Sequence, residues 1–221
     1  TRHGGGALRN GPMTAAIQVH GINPIGAALR RDGAKIGDQV FVTGSLGDGA
    51  IGLLCLGGKS HLGSSFQLTS DPSGPCLDYF EKAYYQPTPR VNFSIHCRDY
   101  ITSAIDISDG LRGDLQHIVK ASGVGARVDI ESIPVSEFAK RCLNSENLYK
   151  AALFGGDDYE LCITVSKDRC AEFVAAAGQI ETKVTCIGEI IEGEGVELTS
   201  PGGEAKPIDG ESYLHFSDLQ S

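Results

Sequence analysis

The sequence lacks an excess of positive charge, a long apolar run and a paired cysteine motif. Its 221 residues contain 19 Lys and Arg against 28 Asp and Glu, which gives a formal net charge of −9. The basic residues are dispersed and form no stripe, so the charge pattern argues against nucleic acid as a partner. No apolar stretch approaches the roughly 18 to 20 residues that span a bilayer, and we expect no membrane partner either.

Cysteine occurs seven times, but never as a Cys-x-x-Cys pair. Most of the thiols lie in apolar surroundings, such as Cys55 between two leucines and Cys162 between a leucine and an isoleucine. This pattern predicts reduced core cysteines in a cytoplasmic protein, and it gives little support to a zinc site or a catalytic thiol. The six histidines are scattered along the chain. We therefore assign no catalytic nucleophile or general base.

Segments with the two-residue period of strands alternate with segments of helical period along most of the chain. The expected strands are 13–20, 39–44, 103–107, 126–130, 160–165, 183–191 and 195–199. The expected helices are 46–56, 77–84, 91–100, 111–122, 134–142, 146–153 and 167–177. This order predicts the α+β class with α/β-type layers, in which helices pack on a mixed β-sheet.

Two acidic motifs stand out, AIDISDGL at 104–111 and GGDDYEL at 155–161. Each combines a short apolar run with a glycine turn. Their carboxylates are Asp106, Asp109, Asp157, Asp158 and Glu160. Carboxylates grouped in this way repel one another unless a cation or a hydrogen-bond donor lies between them. Because Mg²⁺ often binds through one or two carboxylates together with substrate phosphates, the motifs suggest phosphate chemistry with a metal.

The spacing within the first motif makes a geometric prediction. In an extended segment, Asp106 and Ser108 share one face while Ile107 points into the core. The turn at Asp109 and Gly110 then presents a second carboxylate at a helix start, where exposed N–H groups suit phosphate oxygens. The alternative is an ordinary turn or helix cap with no ligand, since Ser and Asp are common in both. The residues alone leave both interpretations open.

Several further segments, taken with these motifs in order, resemble the thiamine-monophosphate kinases. They are ALRR and GAKIGDQVFVTGSLGD within 28–48, PTPR at 87–90, SAIDISDGL at 103–111, GGDDYELC at 155–162 and YLHF at 213–216. That family lies in a superfamily with aminoimidazole ribonucleotide synthetase and selenophosphate synthetase. The resemblance implies the C-terminal domain of the aminoimidazole ribonucleotide synthetase-like fold.

In that family, the resemblance implies, ATP phosphorylates thiamine monophosphate to thiamine diphosphate by direct in-line transfer with several Mg²⁺ ions. Such a transfer depends on positioning and charge neutralisation more than on a protein nucleophile. Carried over position by position, the implied metal ligands are Asp106 and Asp109, the ATP contacts are Arg31 and Ser108, and the substrate contacts are Asp157 and Tyr213.

The chemistry of three of these residues suits the implied roles. Arg31 offers a planar donor fork for phosphate, and Tyr213 offers an aromatic face to a cationic ring such as thiazolium. Asp157 stands where the family has Glu, which shortens the reach of the carboxylate by one methylene.

The resemblance also predicts a domain organisation. Residues 1–23 are expected to be the last loop and strand of an N-terminal nucleotide- and metal-binding domain, and residues 24–221 the C-terminal domain. The full-length protein is expected to form a homodimer, and this polypeptide alone is expected to be inactive.

Two alternatives stay open at the level of the sequence. The first is a non-catalytic domain that retains a phosphate or nucleotide pocket. The second is a superfamily relative that acts on a different substrate, such as a purine-pathway amidine or a hydrogenase-maturation carbamoyl group.

Overall fold

The computed structural model of the protein describes residues 16–58, 62–63, 66–200 and 204–205. Six strands of the described chain form one sheet, and seven α-helices surround it. The strands are β1 (Gln39–Thr43), β2 (Ile101–Ile107), β3 (Gly125–Asp129), β4 (Glu160–Val165), β5 (Val184–Ile191) and β6 (Gly195–Thr199). The helices are α1 (Asp48–Cys55), α2 (Pro75–Tyr85), α3 (Val91–Cys97), α4 (Leu111–Ser122), α5 (Glu137–Cys142), α6 (Ser145–Phe154) and α7 (Cys170–Gly178).

The order of the strands is β2-β4-β1-β5-β3-β6. All neighbours are antiparallel except β3 and β6, which are parallel. The mixed sheet and the α+β class are therefore confirmed. Within the described residues, no helix is long and apolar enough to cross a membrane.

The sheet is covered on both faces, as the burial of its central strand β1 demonstrates. Val40 and Val42 belong to one apolar cluster, which includes residues of α4 and α6, while Phe41 between them belongs to another. Phe41 meets Phe173 of α7 edge-to-face, with the ring centroids 5.1 Å apart. Successive side chains of a strand point to opposite faces. Because both faces are covered here, consecutive residues of β1 are apolar instead of alternating with polar ones.

Several elements differ from the sequence-based expectation. The strand expected at 13–20 is wrong over its described part, because residues 16–20 form no strand and have no partner strand among the described residues. Its apolar side chains Ile17 and Val19 are exposed. The helix expected over 91–100 ends at Cys97 and continues as a 3₁₀ turn, and the one expected from 134 begins at Glu137.

Helix α1 depends on hydrogen bonds from distant parts of the chain. Its cap residue Gly47 has a positive φ of 91° and no side chain, and a carboxylate from elsewhere takes the place of a cap. Oδ2 of Asp158 accepts from the Gly47 N–H at 2.7 Å, and Oδ1 accepts from the Gly49 N–H at 3.0 Å. Burial raises the pKa of Asp158 well above its usual range, although these two donors oppose the shift.

The first residue of α1, Asp48, is a buried carboxylate with three hydroxyl donors. Ser45 Oγ donates at 2.6 Å, Ser136 Oγ at 2.6 Å and the Tyr79 hydroxyl at 2.7 Å. Burial first, and then the charge of Asp48, raises the pKa of Tyr79 to about 12, so the phenol remains a donor across the physiological range. Helices α1 and α2 are thus joined by a polar contact as well as by apolar packing.

Replacing Tyr79 by Phe is expected to lower the free energy of unfolding by ~1.5 to 3 kcal/mol, because a buried carboxylate loses a donor. The matched control is Tyr85→Phe in the same helix, where the side chain is exposed; it should change stability by less than ~0.5 kcal/mol. Urea unfolding of both variants measures the difference. Equal stabilities would mean that the hydroxyl of Tyr79 contributes nothing to the packing of α1 on α2.

Candidate active site

The two acidic motifs lie side by side at one edge of the sheet. Strand β2 is the edge strand, and its last residue Ile107 pairs with Glu160 of β4. Beyond the strands, the Asp157 N–H donates to the Ser108 carbonyl at 3.0 Å and the Tyr159 N–H donates to the Ile107 carbonyl at 2.8 Å. Main-chain hydrogen bonds therefore hold the segment after α6 against the end of β2.

The end of β2 has the alternation that its sequence predicts. Asp106 is exposed, whereas Ile105 and Ile107 on either side of it are buried. Ser108 and Asp109 follow and are partly buried. The first motif therefore holds a solvent-facing carboxylate next to a hydroxyl, with the intervening isoleucine in the core.

The turn after β2 is held by Asp114, a residue that the sequence analysis did not single out. Its Oδ2 accepts from the N–H groups of Ser108 and Asp109, each at 3.0 Å, and its side chain is 3% exposed. The pKa of Asp114 is raised to about 6. Burial is the largest cause, the two N–H donors oppose it, and the charges of Asp109 and Asp106 add to it. Two N–H groups of this turn are thus already used by a protein carboxylate.

Gly110 lets the turn pass close to the end of α6. Its φ of 101° lies in the region that favours glycine, and a Cβ at this position would lie 2.7 Å from the carbonyl carbon of Phe154. A side chain would therefore both strain the backbone and push the two motifs apart.

The second motif directs neighbouring carboxylates to opposite sides. Asp157 and Tyr159 both have positive φ, 67° and 51° respectively. Asp158 between them turns toward α1, as described above. Asp157 stays beside Tyr159, whose hydroxyl donates to its Oδ1 at 3.3 Å. Partial burial is the largest cause that raises the pKa of Tyr159, followed by the charge and hydrogen bond of Asp157 and then by the charge of Asp106, so Tyr159 lies near both carboxylates.

Glu160 is bound by Arg90, the last residue of the PTPR motif. The Arg90 Nε donates to Oε2 at 2.7 Å, Nη2 donates to the other oxygen, and the Thr43 hydroxyl donates as well. Hydrogen bonding to Glu160 raises the pKa of Arg90. Of the three carboxylates in the second motif, Asp158 and Glu160 are therefore satisfied by protein donors, and Asp157 remains on the side of Asp106.

Arg31 approaches the same edge from the segment before β1. Its carbonyl accepts from Ser122 Oγ at 3.0 Å, and its exposed side chain lines a cavity of about 440 Å³ together with Asp106. Asp106 also lines an adjoining, more apolar cavity of about 790 Å³ beside Tyr159. Tyr213 lies outside the described residues. The structure thus brings Asp106, Ser108, Asp109 and Asp157 to one region, and Arg31 lines a cavity together with Asp106.

The donor set fits a hard cation only in part. No group of three or more His, Cys, Asp or Glu that could hold a metal occurs among the residues that the structure describes. Asp106 and Asp109 provide oxygen ligands, and Mg²⁺ commonly takes one or two carboxylates, with phosphates and water completing its shell. The described residues are consistent with a metal held jointly with a phosphorylated ligand.

Local patterns identified the two acidic motifs of the site, but the sequence analysis did not assign a role to Asp114 or Arg90. An acidic residue in the first turn of the helix after the SDG turn was an available signal for Asp114, because such residues satisfy N–H groups there. Nothing local linked Arg90 to Glu160, which is 70 residues away in sequence.

Comparison with known proteins finds similar sequences and structures among the thiamine-monophosphate kinases. A thiamine-monophosphate kinase of Salmonella typhimurium is 38% identical over 214 residues, which cover 96% of this chain and 63% of that protein. A thiamine-monophosphate kinase structure from Stenotrophomonas maltophilia K279a superposes with a TM-score of 0.70 and 36% identity, covering 82% of this chain and 55% of that one. The chain therefore spans less than two thirds of the length of these relatives.

A further solved structure, AaThiL complexed with AMPPCP and TMP, has a TM-score of 0.64 and 32% identity, covering 84% of this chain and 54% of that one. The resemblance to thiamine-monophosphate kinases is thereby confirmed. The family model described as AIR synthase related protein, C-terminal domain, matches residues 35–200, and the chain belongs to that family.

Proposed function

We propose that this chain contributes to the ATP-dependent phosphorylation of thiamine monophosphate to thiamine diphosphate. The observation that carries the proposal is the hydrogen-bonded contact between the two acidic motifs, which gathers Asp106, Ser108, Asp109 and Asp157 at one sheet edge. Similarity to thiamine-monophosphate kinases, one of them complexed with AMPPCP and TMP, supports the choice of substrates. AMPPCP is an analogue of ATP, so that complex pairs a nucleotide with a second phosphorylated ligand.

The reaction joins two phosphates. An oxygen of the thiamine monophosphate phosphate attacks the γ-phosphorus of ATP in line, the bond from that phosphorus to the β-phosphate oxygen breaks, and ADP leaves. Both partners are anionic, so the barrier falls when the protein holds them together and offsets their repulsion. Mg²⁺, when bound by Asp106 and Asp109, supplies that charge neutralisation.

The remaining residues bind and orient. The Ser108 hydroxyl and the Arg31 guanidinium donate hydrogen bonds to phosphate oxygens of the nucleotide. Asp157 faces the cationic thiamine moiety, and Tyr213 offers that ring an aromatic surface. In this proposal the full-length protein is a homodimer in the cytoplasm.

Asp109→Asn in the full-length gene product is expected to lower turnover by at least ~10²-fold, since one preorganised electrostatic contact is lost. The melting temperature should stay within a few degrees of the wild type. Thiamine diphosphate formed from MgATP and thiamine monophosphate is the quantity to measure. Asp78→Asn, an exposed carboxylate in the first turn of α2, is the matched control and should keep full turnover. Equal turnover in both variants would assign the SDG segment to a structural turn.

Tyr213→Ala is expected to raise the KM for thiamine monophosphate several-fold and to leave the KM for ATP nearly unchanged. The loss corresponds to a cation–π contact worth roughly 1 kcal/mol. Initial rates with each substrate varied in turn separate the two constants. A change in the ATP constant instead would move Tyr213 to the nucleotide side of the site.

Asp114 is proposed as the positioning residue of the metal-binding turn, because one of its oxygens accepts both N–H groups. Asp114→Asn keeps such an oxygen, whereas Asp114→Ala removes it. We expect the Asn variant to retain much of the turnover and the Ala variant to lose it together with stability. If the Asp114→Asn variant lost as much turnover as the Asp114→Ala variant, the charge of Asp114 rather than its hydrogen-bond geometry would be what turnover requires.

The pH dependence of stability tests the state of Asp114 separately. Since its pKa is raised to about 6 in the folded chain, the unfolded chain ionises first as pH rises from about 4. The ionised carboxylate therefore destabilises the folded chain. This destabilisation grows between about pH 4 and pH 6 and is complete above about pH 6. Asp114→Asn lacks this cost, so its stability relative to the wild type should rise by up to ~3 kcal/mol between pH 4 and pH 7. A constant difference would contradict the burial of a charge at this position.

A further inference from the structure

Three cysteines outside the candidate active site lie in one apolar cluster. Cys55 is the last residue of α1, Cys76 is the second residue of α2 and Cys142 is the last residue of α5. The Sγ atoms of Cys76 and Cys142 are 3.7 Å apart, and all three thiols are free. We propose that Cys76 and Cys142 are a site of oxidative modification, at which a peroxide converts the two thiols into a disulfide.

The two sulfur atoms are already in contact. A disulfide bond is about 2.05 Å long, so the sulfur atoms need to approach by only about 1.7 Å. The chain around Cys142 is fixed from the other side, since the Thr69 N–H donates to the Cys142 carbonyl at 2.8 Å and Ser70 Oγ donates to the Arg141 carbonyl at 3.1 Å. Rotation of the two side chains, or a shift of the start of α2, would close this distance.

The exposure of the two thiols sets the order of the chemistry. Cys76 is partly exposed, whereas Cys142 is 2% exposed, so a peroxide from solvent meets Cys76 first. The Cys76 thiol loses its proton and the thiolate attacks one peroxide oxygen; the O–O bond breaks, a sulfenic acid forms, and the departing hydroxide takes up a proton and leaves as water. The Cys142 sulfur, losing its proton, then attacks the Cys76 sulfur; the S–O bond breaks and a second water leaves. Two electrons pass from the thiols to the peroxide.

The surroundings predict a slow reaction that accelerates with pH. Burial first, and then the neighbouring Cys142, raises the pKa of Cys76 to about 11, so little thiolate is present at neutral pH. Cysteines that sense peroxide rapidly have lowered pKa values. Cys76 and Cys142 therefore form a lasting cross-link under sustained oxidation rather than a fast sensor.

The cross-link would join two walls of a polar cavity of about 540 Å³. Tyr79 and Lys82 of α2 line one side of this cavity, and Val135 and Ser136 before α5 line another. A bond between Cys76 and Cys142 would prevent these walls from separating. It would also close a loop between positions 66 residues apart, which restricts the unfolded chain and raises the melting temperature.

The test treats the protein with hydrogen peroxide at pH 7 and at pH 9, followed by alkylation of the remaining thiols, proteolysis and mass mapping. We expect a Cys76–Cys142 linked peptide lighter by two hydrogen atoms than the two reduced peptides, formed up to ~10²-fold faster at pH 9 because the thiolate fraction of Cys76 rises in that proportion. The melting temperature should rise by several degrees and return to the starting value on reduction with dithiothreitol.

Variants identify the partners. Cys76→Ser is expected to abolish both the linked peptide and the rise in melting temperature. Cys186→Ser removes an exposed thiol elsewhere and is expected to change neither. Because a variant at the buried Cys142 could fold poorly, the mass map of the wild-type protein decides the pairing. A Cys55–Cys142 link, or Cys76 that proceeds to the sulfinic acid without a linked peptide, would overturn the proposal.

Discussion

Buried carboxylates require hydrogen-bond donors, and this constraint organises the region around the candidate active site. Asp48, Asp114, Asp158 and Glu160 are each met by donors from segments distant in sequence or from a backbone turn. A buried carboxylate without donors would cost several kcal/mol, so these contacts are conditions for the fold rather than additions to it. Helix α1, the turn before α4 and the segment after α6 are each positioned by one of them.

The same constraint divides the acidic residues of the two motifs into two groups. Asp158 and Glu160 are saturated by Gly47, Gly49, Arg90 and Thr43, and they build the scaffold. Asp106 faces solvent and Asp157 remains on the same side. Asp106, as a solvent-facing carboxylate, keeps its lone pairs for a ligand, as the proposed metal-assisted phosphate site requires. The acidic residues of the two motifs thus include structural carboxylates, Asp158 and Glu160, and a solvent-facing carboxylate, Asp106.

Holding the turn with a carboxylate has an energetic consequence. Asp114 is buried with a raised pKa beside the charges of Asp109 and Asp106, so its ionised form opposes folding at neutral pH. Sites that bind charged ligands often retain arrangements of this kind, in which precise geometry is kept at some cost in stability. A cation bound by Asp106 and Asp109 would reduce the repulsion, which couples ligand binding to the rigidity of the turn.

The sequence by itself determined the alternation at the end of β2, the class of the fold and the motifs that define the site. These features depend on the period of the side chains and on local turn chemistry, both of which are properties of short segments. The tertiary structure decided which carboxylates are available, because that depends on donors such as Arg90 that arrive from 70 residues away. It also decided against a strand over 16–20, the described part of the strand expected at 13–20, because these residues lack a partner strand among the described residues and a strand forms only when neighbouring backbone groups satisfy its hydrogen bonds.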